Sequence, residues 1–484
     1  MKRPSLHSIT ALALALLALS GCATNPVTGR SEVSLVSSQQ ELQIGRDGFA
    51  AVVTEYGKYD DPALAAYVDS VGQRVAHVSH LPNLEWHFTL VDDPAVNAFA
   101  MPGGYIYVTR GLLAYMNSEA QLAGVLGHEC GHVTHRHTAE AMTRQQLYGL
   151  GFGVLQIAAP GLRPYSGAGQ QALGLLFLKY SRQNENEADA LGIEYATRAG
   201  YDPREIPGTY ATLKRISEAA GSSMPSFLST HPDPGSREAN TTTLANQAAS
   251  GKSGLLIRQR DYVRHLEGLV FGRDPREGYF EGRTYYHPTL GFQVDFPEGW
   301  KQQDSRSTVA AAEPSQQGVV QLSIAQAGDA SPESYVQSLL ATGKLTQATG
   351  HRETIGGHDA WLGYVTAPGD NGPINFDLAF IRAGEQTMYQ FLGQTTARGD
   401  AYEQRILDTM RSFRPLADAS RRQAAPARVH LANAPSSGTL RALLPQLGTQ
   451  GATPEEVAIV NGVELDQTIQ SGKMLKLVRP GRTR

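Results

Sequence analysis

Residues 125–137 read VLGHECGHVTHRH and contain four of the chain's 14 histidines beside one glutamate. His128 and His132 stand four residues apart, so on a helix both imidazoles lie on one face, one turn apart. Neutral imidazole is a common zinc ligand, and two at this spacing can share one ion. The stretch therefore predicts a helix that presents a pair of metal ligands.

Glu129 lies where that helix should be buried. Leu122, Val125, Leu126 and Val133 share its face at helical spacing, which predicts one buried stripe. A buried carboxylate is costly unless it has a partner, and a water molecule held by a metal would supply one. Glu129 is therefore predicted to act as a general base. The alternative is a solvent-facing polar helix end.

The pattern His128-Glu129-x-x-His132 matches the H-E-x-x-H signature of zinc peptidases. A catalytic zinc usually has three protein ligands and one open position, so a third ligand must come from elsewhere. Thr138 occupies the position where a third histidine of the metzincin arrangement would stand. His135 and His137 lie at other angles of the helix; we expect His135 on the surface, and His137 either behind the ligands or on the surface.

The segment SRQNENEADALG, residues 181–192, offers the third ligand. Glu185 and Asp189 are four residues apart and share a helix face. Glu185 is predicted to bind the metal, while Asp189 accepts the N–H of a liganding histidine and fixes the orientation of its ring. Glu187 points elsewhere and is the reserve ligand. The alternative is a solvated acidic helix start, where carboxylates favour the helix dipole.

The N-terminus predicts export and lipid anchoring. Residues 9–19 form an apolar run after a basic start, and the run ends in LSGC, which resembles a bacterial lipobox. Residues 1–21 are thus predicted to be a signal peptide, with Cys22 lipidated and residues 22–36 serving as a tether. Ala23 follows the cysteine instead of aspartate, which favours the outer membrane. An ordinary signal peptide is the alternative.

Length and composition predict several domains and no nucleic-acid partner, because the 484 residues have a net charge of −4 and show no basic excess. Cys130 has no intrachain partner if Cys22 is acylated. Residues 147–180 predict two buried helices or, alternatively, a hairpin that touches a membrane. The predicted fold class is α+β and multidomain. Residues 37–275 are predicted to form a mainly helical zincin-type metallopeptidase domain with a small sheet. They are followed by an antiparallel-β-rich α+β domain of unknown role at 280–415, a linker at 416–427 and a small LysM-like module at 428–480.

GHECGHVTHRH followed by SRQNENEAD resembles the gluzincin peptidase family of HtpX, BepA and the type I CAAX prenyl proteases. The resemblance covers about residues 35–270 and is nearest to the BepA-like periplasmic lipoprotein branch. It implies one Zn²⁺ per chain, with His128, His132 and Glu185 as ligands. It also implies that His231, in the Thr-His-Pro loop, is a removable, inhibitory fourth ligand. BepA-like chains end in helical repeats, whereas this chain ends in the β-rich domain and the LysM-like module.

These features predict a zinc-dependent endopeptidase of the bacterial cell envelope. Its expected substrates are misfolded or misassembled periplasmic and outer-membrane proteins, and its expected location is the periplasm, anchored by lipid at Cys22. The strand at 104–108 is predicted to bind an extended peptide along its edge. The alternatives are a chaperone or scaffold whose peptidase is latent, and a protein that binds peptidoglycan through residues 428–480.

Overall fold

The computed structural model describes the greater part of the chain. The described residues are 22–147, 174–175, 178, 180–220, 227, 231, 234–345, 347–369, 372–395, 398–448 and 451–481. The predicted signal peptide at 1–21 and most of the stretch at 147–180 lie outside them. Among the described residues, no helix combines the length and the apolar character needed to span a bilayer.

The N-terminal half is mainly helical with a small sheet, as the sequence predicts. Its helices are α1 (Ser38–Tyr56), α2 (Pro62–Ala76), α3 (Arg110–Tyr115), α4 (Glu119–Thr134), α5 (His137–Leu147), α6 (Arg182–Arg198), α7 (Pro207–Ala220), α8 (Pro234–Ala249) and α9 (Gln259–Arg264). Its strands are β1 (Cys22–Thr24), β2 (Ser31–Val33), β3 (His87–Val91), β4 (Ala98–Met101), β5 (Tyr105–Thr109) and β6 (Val270–Phe271). One apolar core joins α2, α4 and α6 to the sheet.

The small sheet corrects one prediction about substrate binding. Its strand order is β3-β5-β4, with β5 parallel to β3 and antiparallel to β4. The strand predicted at 104–108 is β5, which is hydrogen-bonded on both sides, so the prediction of a free edge there is wrong. The sequence shows the strand but not its neighbours, because strand order depends on long-range pairing. The edge strand that packs against α4 is β4.

Residues 22–36 form more structure than the predicted tether. β1 and β2 pair as an antiparallel hairpin. Asn25, in the turn, is fully buried, and its side-chain amide donates to Glu32 Oε1 at 2.9 Å. The main-chain carbonyl of Val36 accepts from Arg136 Nη2 at 2.8 Å. The segment that follows Cys22 is therefore packed against the helical domain.

The second part of the chain is the predicted antiparallel-β-rich domain. Its strands are β7 (Tyr279–Glu281), β8 (Thr284–His287), β9 (Phe292–Asp295), β10 (Lys301–Asp304), β11 (Thr308–Ala312), β12 (Gly318–Gln326), β13 (Thr349–Ile355), β14 (His358–Gly369), β15 (Gly372–Arg382), β16 (Thr387–Thr395) and β17 (Arg414–Pro415). They form a seven-stranded sheet of order β10-β11-β12-β16-β15-β14-β13 and a four-stranded sheet of order β17-β9-β8-β7. Two helices, α10 (Pro332–Ala341) and α11 (Ala401–Arg411), complete this domain.

A buried carboxyl pair gives this domain a predicted pH response. Asp377 on β15 is 3% exposed and hydrogen-bonds to Glu403 on α11. Burial, together with the charge of Glu403, raises the pKa of Asp377 to about 7. The unfolded chain releases that proton near pH 4, so from about pH 4 to 7 the folded state binds one more proton than the unfolded state. The free energy of unfolding should therefore fall as the pH rises through this window.

We expect Asp377→Asn to reduce that fall by up to about 1.4 kcal/mol per pH unit. Denaturant unfolding of the intact protein at pH 5 and pH 7.5, followed by tryptophan fluorescence, measures it, since Trp300 and Trp361 belong to this domain. Asp359→Asn, which removes a half-exposed carboxylate paired with Arg352, is the matched control. Equal pH slopes for Asp377→Asn and the unmodified protein would contradict the assignment.

The C-terminal segment packs on the helical N-terminal half. It comprises α12 (Ala419–Arg422), β18 (Ala427–Asn433), β19 (Gly438–Thr439), α13 (Leu440–Leu447), α14 (Pro454–Val460), β20 (Thr468–Ile469) and β21 (Met474–Arg479). β18 pairs with β21 and also with β6. Lys476 on β21 is 1% exposed and donates to the carbonyls of Ala114 and Met116 at 2.7 and 2.6 Å. Burial lowers the pKa of Lys476 well below its ordinary value. The likeness to LysM stays a prediction.

Candidate metal centre

Helix α4 carries the signature residues in its C-terminal half. Its start is fixed by Ser118, whose hydroxyl oxygen accepts from the backbone N–H of Gln121 at 3.2 Å. The predicted buried stripe is confirmed for Leu122, Val125, Leu126 and Glu129, which are at most 6% exposed. Glu129 itself is 1% exposed and stands in that stripe.

Close packing of α4 on α6 brings the two motifs together. A Cβ added at Gly127 would lie 2.9 Å from the carbonyl oxygen of Gly192, and one added at Gly131 would lie 3.2 Å from Ala188 Cα. The glycines that precede the two motif histidines thus let the helix backbones approach. Helix α6 begins at the Ser181 cap, which accepts from Asn184 N at 3.1 Å and places Glu185 in the first turn.

Four buried side chains then offer donor atoms to one point. His128, His132, Glu185 and His231 each contribute one atom, and the four atoms lie within 4.8 Å of one another. His128 Nε2 and His132 Nε2 are 3.0 Å apart, and each lies 3.7 Å from an oxygen of Glu185. Two nitrogens that bind one zinc at about 2.0–2.1 Å in a tetrahedral arrangement lie roughly 3.3 Å apart.

Asp189 lies behind the donor set. Its Oδ1 is 2.9 Å from His128 Nδ1, the ring nitrogen that faces away from the shared point. Arg237 donates to both oxygens of Asp189, at 2.6 and 2.9 Å, and Arg237 Nη1 lies 2.9 Å from Glu185 Oε2. The hydroxyl of Tyr210 also donates to Asp189 Oδ1 at 2.6 Å. These contacts fix the orientation of both the histidine and the glutamate.

His231 occupies the side of the donor set that faces Glu129. Its Nδ1 lies 2.9 Å from Glu185 Oε1, and its Nε2 lies 3.8 Å from Glu129 Oε1. The ring of Phe227 stacks on His231 with centroids 4.5 Å apart, and the backbone N–H of His231 donates to Phe227 O at 2.8 Å. The side chain is therefore held in the site by local packing.

Burial and neighbouring charges favour the metal-binding protonation states of His132 and Glu185. Burial lowers the pKa of His132 well below its ordinary value, so that ring is neutral. Burial alone would raise the pKa of Glu185, but His231, His128 and Arg237 outweigh it and hold that pKa below its ordinary value. Neutral imidazole and ionised carboxylate are the forms that bind zinc.

One oxygen of the Glu129 carboxylate, Oε1, is buried and lacks a hydrogen bond to any described residue. Burial raises the pKa of Glu129, although the charges of His231 and His128 oppose that rise. An unpartnered buried oxygen beside three nitrogens and a carboxylate fits a site completed by a cation and a water molecule. The residues present therefore fit zinc.

The other predicted candidates lie outside this donor set. His135, His137 and Glu187 form a second group whose atoms also lie within 4.8 Å of one another. The surface alternative for His137 is wrong, because its side chain is fully buried. A hydrogen bond from His137 is the main cause that lowers the pKa of Glu187 to about 2. Cys130 is a free, buried thiol.

Sequence reasoning missed two kinds of residue. Arg237 and Tyr210 orient Asp189, and Tyr180 stacks on His132 with ring centroids 4.1 Å apart. The arginine follows the predicted loop histidine in the stretch HPDPGSRE. Its burial opposite two carboxylates is visible only in the structure. The tyrosines carry no sequence signal of their own.

Comparison with known proteins finds one matching family model and several relatives. Residues 62–244 match the model of Peptidase family M48. The Beta-barrel assembly-enhancing protease of Escherichia coli (strain K12) is 36% identical over 240 residues, which are 46% of this chain and 47% of that protein. Its namesake in Yersinia pestis is 34% identical over 49% of this chain and 51% of that protein. The Mitochondrial metalloendopeptidase OMA1 of Arabidopsis thaliana is 38% identical over 32% of this chain and 31% of that protein.

The chain spans about half the length of the bacterial relatives that it matches. The residues matched by the family model, 62–244, include all four members of the candidate donor set.

Proposed function

We propose that this chain, whose residues 62–244 match the model of Peptidase family M48, is a zinc-dependent endopeptidase of the gluzincin type. The observation that carries the proposal is the convergence of His128, His132 and Glu185 on one buried point beside the unpartnered Oε1 of Glu129. Three protein ligands and a carboxylate base are the components that peptide hydrolysis by a zinc enzyme requires.

Each residue has a defined role in the proposed reaction. Bound zinc would supply a Lewis acid that polarises the scissile carbonyl and lowers the pKa of water. Glu129 accepts the proton of the attacking water and delivers it to the departing amide nitrogen. Asp189 holds His128 in the tautomer whose Nε2 lone pair faces the shared point, and Arg237 keeps Asp189 ionised and in place.

His231 gives the proposed enzyme a resting state. Its ring lies against Glu185 and faces Glu129, so it fills the position that a substrate carbonyl needs. We propose that His231 is a removable fourth ligand and that its loop must move before hydrolysis begins.

The substrate is proposed to bind as an extended strand beside β4. The backbone N–H of Thr109 donates to Asn97 O at 3.1 Å. Hydrogen bonds alternate along an antiparallel pair, so the N–H and C=O groups of Ala98 and Ala100 point to the open edge. That edge strand packs against helix α4. Unfolded segments can pair with such an edge through their backbone, with little dependence on sequence.

We propose a role in quality control of the cell envelope, on misfolded or misassembled periplasmic and outer-membrane proteins. Support comes from the predicted lipid anchor at Cys22 and from the similarity to proteases whose names refer to β-barrel assembly. A latent peptidase that acts as a chaperone or scaffold, or a peptidoglycan-associated protein, is the alternative, and either one predicts function without hydrolysis.

Metal analysis combined with a cleavage assay tests the proposal. The purified intact protein should contain one zinc ion per chain and cleave casein. Treatment with 1,10-phenanthroline should abolish cleavage, because the base alone cannot activate water sufficiently, and added zinc should restore it. Protein treated with phenanthroline already saturated with zinc is the control. Cleavage that persists after the metal is removed would contradict the proposal.

A further inference from the structure

A buried chain of side chains leads from His132 to the second histidine-carboxylate group. His132 Nδ1 lies 2.9 Å from His137 Nδ1. His137 Nε2 lies 3.2 Å from Glu187 Oε2, whose partner oxygen accepts from Gln183 Nε2 at 3.0 Å. His132 thus contacts a carboxylate through a second imidazole, whereas His128 contacts Asp189 directly.

A break in the helix creates this contact. In an unbroken helix His137 would lie about 140° around the axis from His132 and could not reach it. Helix α4 ends at Thr134, and Arg136 takes the left-handed conformation with φ of 61°, which few residues other than glycine adopt. The Arg136 guanidinium is held by Glu41 at 2.8 Å and by the carbonyl of Val36. The turn is therefore held firmly by surrounding groups.

The distances allow only one arrangement of protons when His132 binds a cation. A neutral imidazole that ligates through Nε2 carries its proton on Nδ1. Only one proton fits between the two Nδ1 atoms, so His137 must accept there. The proton of neutral His137 is then on Nε2 and is donated to Glu187. Each hydrogen bond in the chain fixes the next one.

His135 belongs to the same hydrogen-bonded group. Asn25 Oδ1 accepts from the backbone N–H groups of Val27 and Thr28 at 2.9 and 3.2 Å, so Asn25 Nδ2 is the donor that faces His135 Nδ1 at 3.1 Å. His135 accepts on Nδ1 and directs its Nε2–H toward Glu187, 3.6 Å away. Both histidines thus present N–H groups, not lone pairs, to this carboxylate.

We propose that His137 and Glu187 are positioning residues that hold His132 in the tautomer whose Nε2 lone pair is free for zinc. It follows that the His135-His137-Glu187 group is not a second metal site. A cation on His137 Nε2 would force its proton to Nδ1, where it would face the Nδ1–H of His132. The inference rests on the proposed function, because it assumes that zinc binds His132.

Zinc affinity of the intact protein, measured by competition with a chromophoric chelator, tests the inference. We expect His137→Leu to weaken zinc binding by about 10–100-fold, the usual effect of losing a group that orients a ligand. His137→Asn should restore most of the affinity, since its amide oxygen lies near the place of Nδ1 and accepts from His132. A general packing defect would not be rescued in this way. Glu187→Gln should give a smaller loss.

His135→Ala is the matched control, because His135 faces Glu187 but does not contact His132; its zinc affinity should equal that of the unmodified protein. Unchanged affinity in His137→Leu would overturn the inference. Two zinc ions per chain that fall to one in His135→Ala would also overturn it, since that result would make the group a metal site. Failure of the proposed function looks different, because zinc would then be absent from the unmodified protein.

Discussion

Glu129→Gln should lower the turnover number for casein by about 10²–10⁴-fold, the usual contribution of a general base. Glutamine has the same shape but cannot accept the proton of the attacking water. The substitution keeps the size of a buried side chain whose Oε1 has no hydrogen-bond partner among the described residues. We therefore expect zinc content and thermal stability to be maintained. Cleavage kinetics and metal analysis on the same preparation measure both.

Glu119→Gln is the matched control for that change. Glu119 is a buried glutamate of the same helix, but it pairs with Tyr67, Tyr201 and Arg258, away from the donor set. Its replacement should cost stability and leave the activity per folded molecule unchanged. If Glu129→Gln cleaves casein at the unmodified rate, hydrolysis by this site is refuted. If Glu129→Gln still supports function in cells after cleavage is lost, the chaperone or scaffold alternative is favoured.

Local periodicity was sufficient to predict the core of the candidate site. A four-residue spacing on a helix determines which side chains share a face, so the face of His128 and His132 and the burial of Glu129 follow from the sequence. The structure brings Glu185 to the same point through the glycine contacts between α4 and α6. The roles of these residues as ligands and base stay predictions.

Features that depend on a break or on long-range pairing could not be predicted. His137 was assigned an unfavourable angle because the helix was assumed to continue, whereas the left-handed Arg136 turns the chain back. The substrate edge was placed on β5 because a strand pattern does not reveal its neighbours. Asn25 falls within the predicted tether, but it is buried and its side chain contacts His135. Each error concerns a contact between residues that are distant in sequence or a single unusual backbone angle.

The double substitution His128→Ala and His132→Ala should remove zinc from the protein and leave cleavage undetectable. The two Nε2 atoms lie 3.0 Å apart at the centre of the donor set, and without them only one carboxylate and His231 remain. Two donors bind zinc too weakly to retain it during gel filtration, because a structural or catalytic site needs three or four protein ligands. Metal analysis after gel filtration, which should show a fall from one zinc per chain to nearly none, measures the effect.

His231→Ala supplies the matched control within the same cluster. It removes a donor of the same kind, but the proposed triad of His128, His132 and Glu185 stays complete, so zinc should be retained. Cleavage should rise by about tenfold or more if the open form is a minor state of a few per cent, because the ring no longer fills the substrate position. Zinc retained in the double variant would refute the proposed centre. Zinc lost in His231→Ala would instead make this histidine an obligatory ligand, and no self-inhibited state would remain to be released.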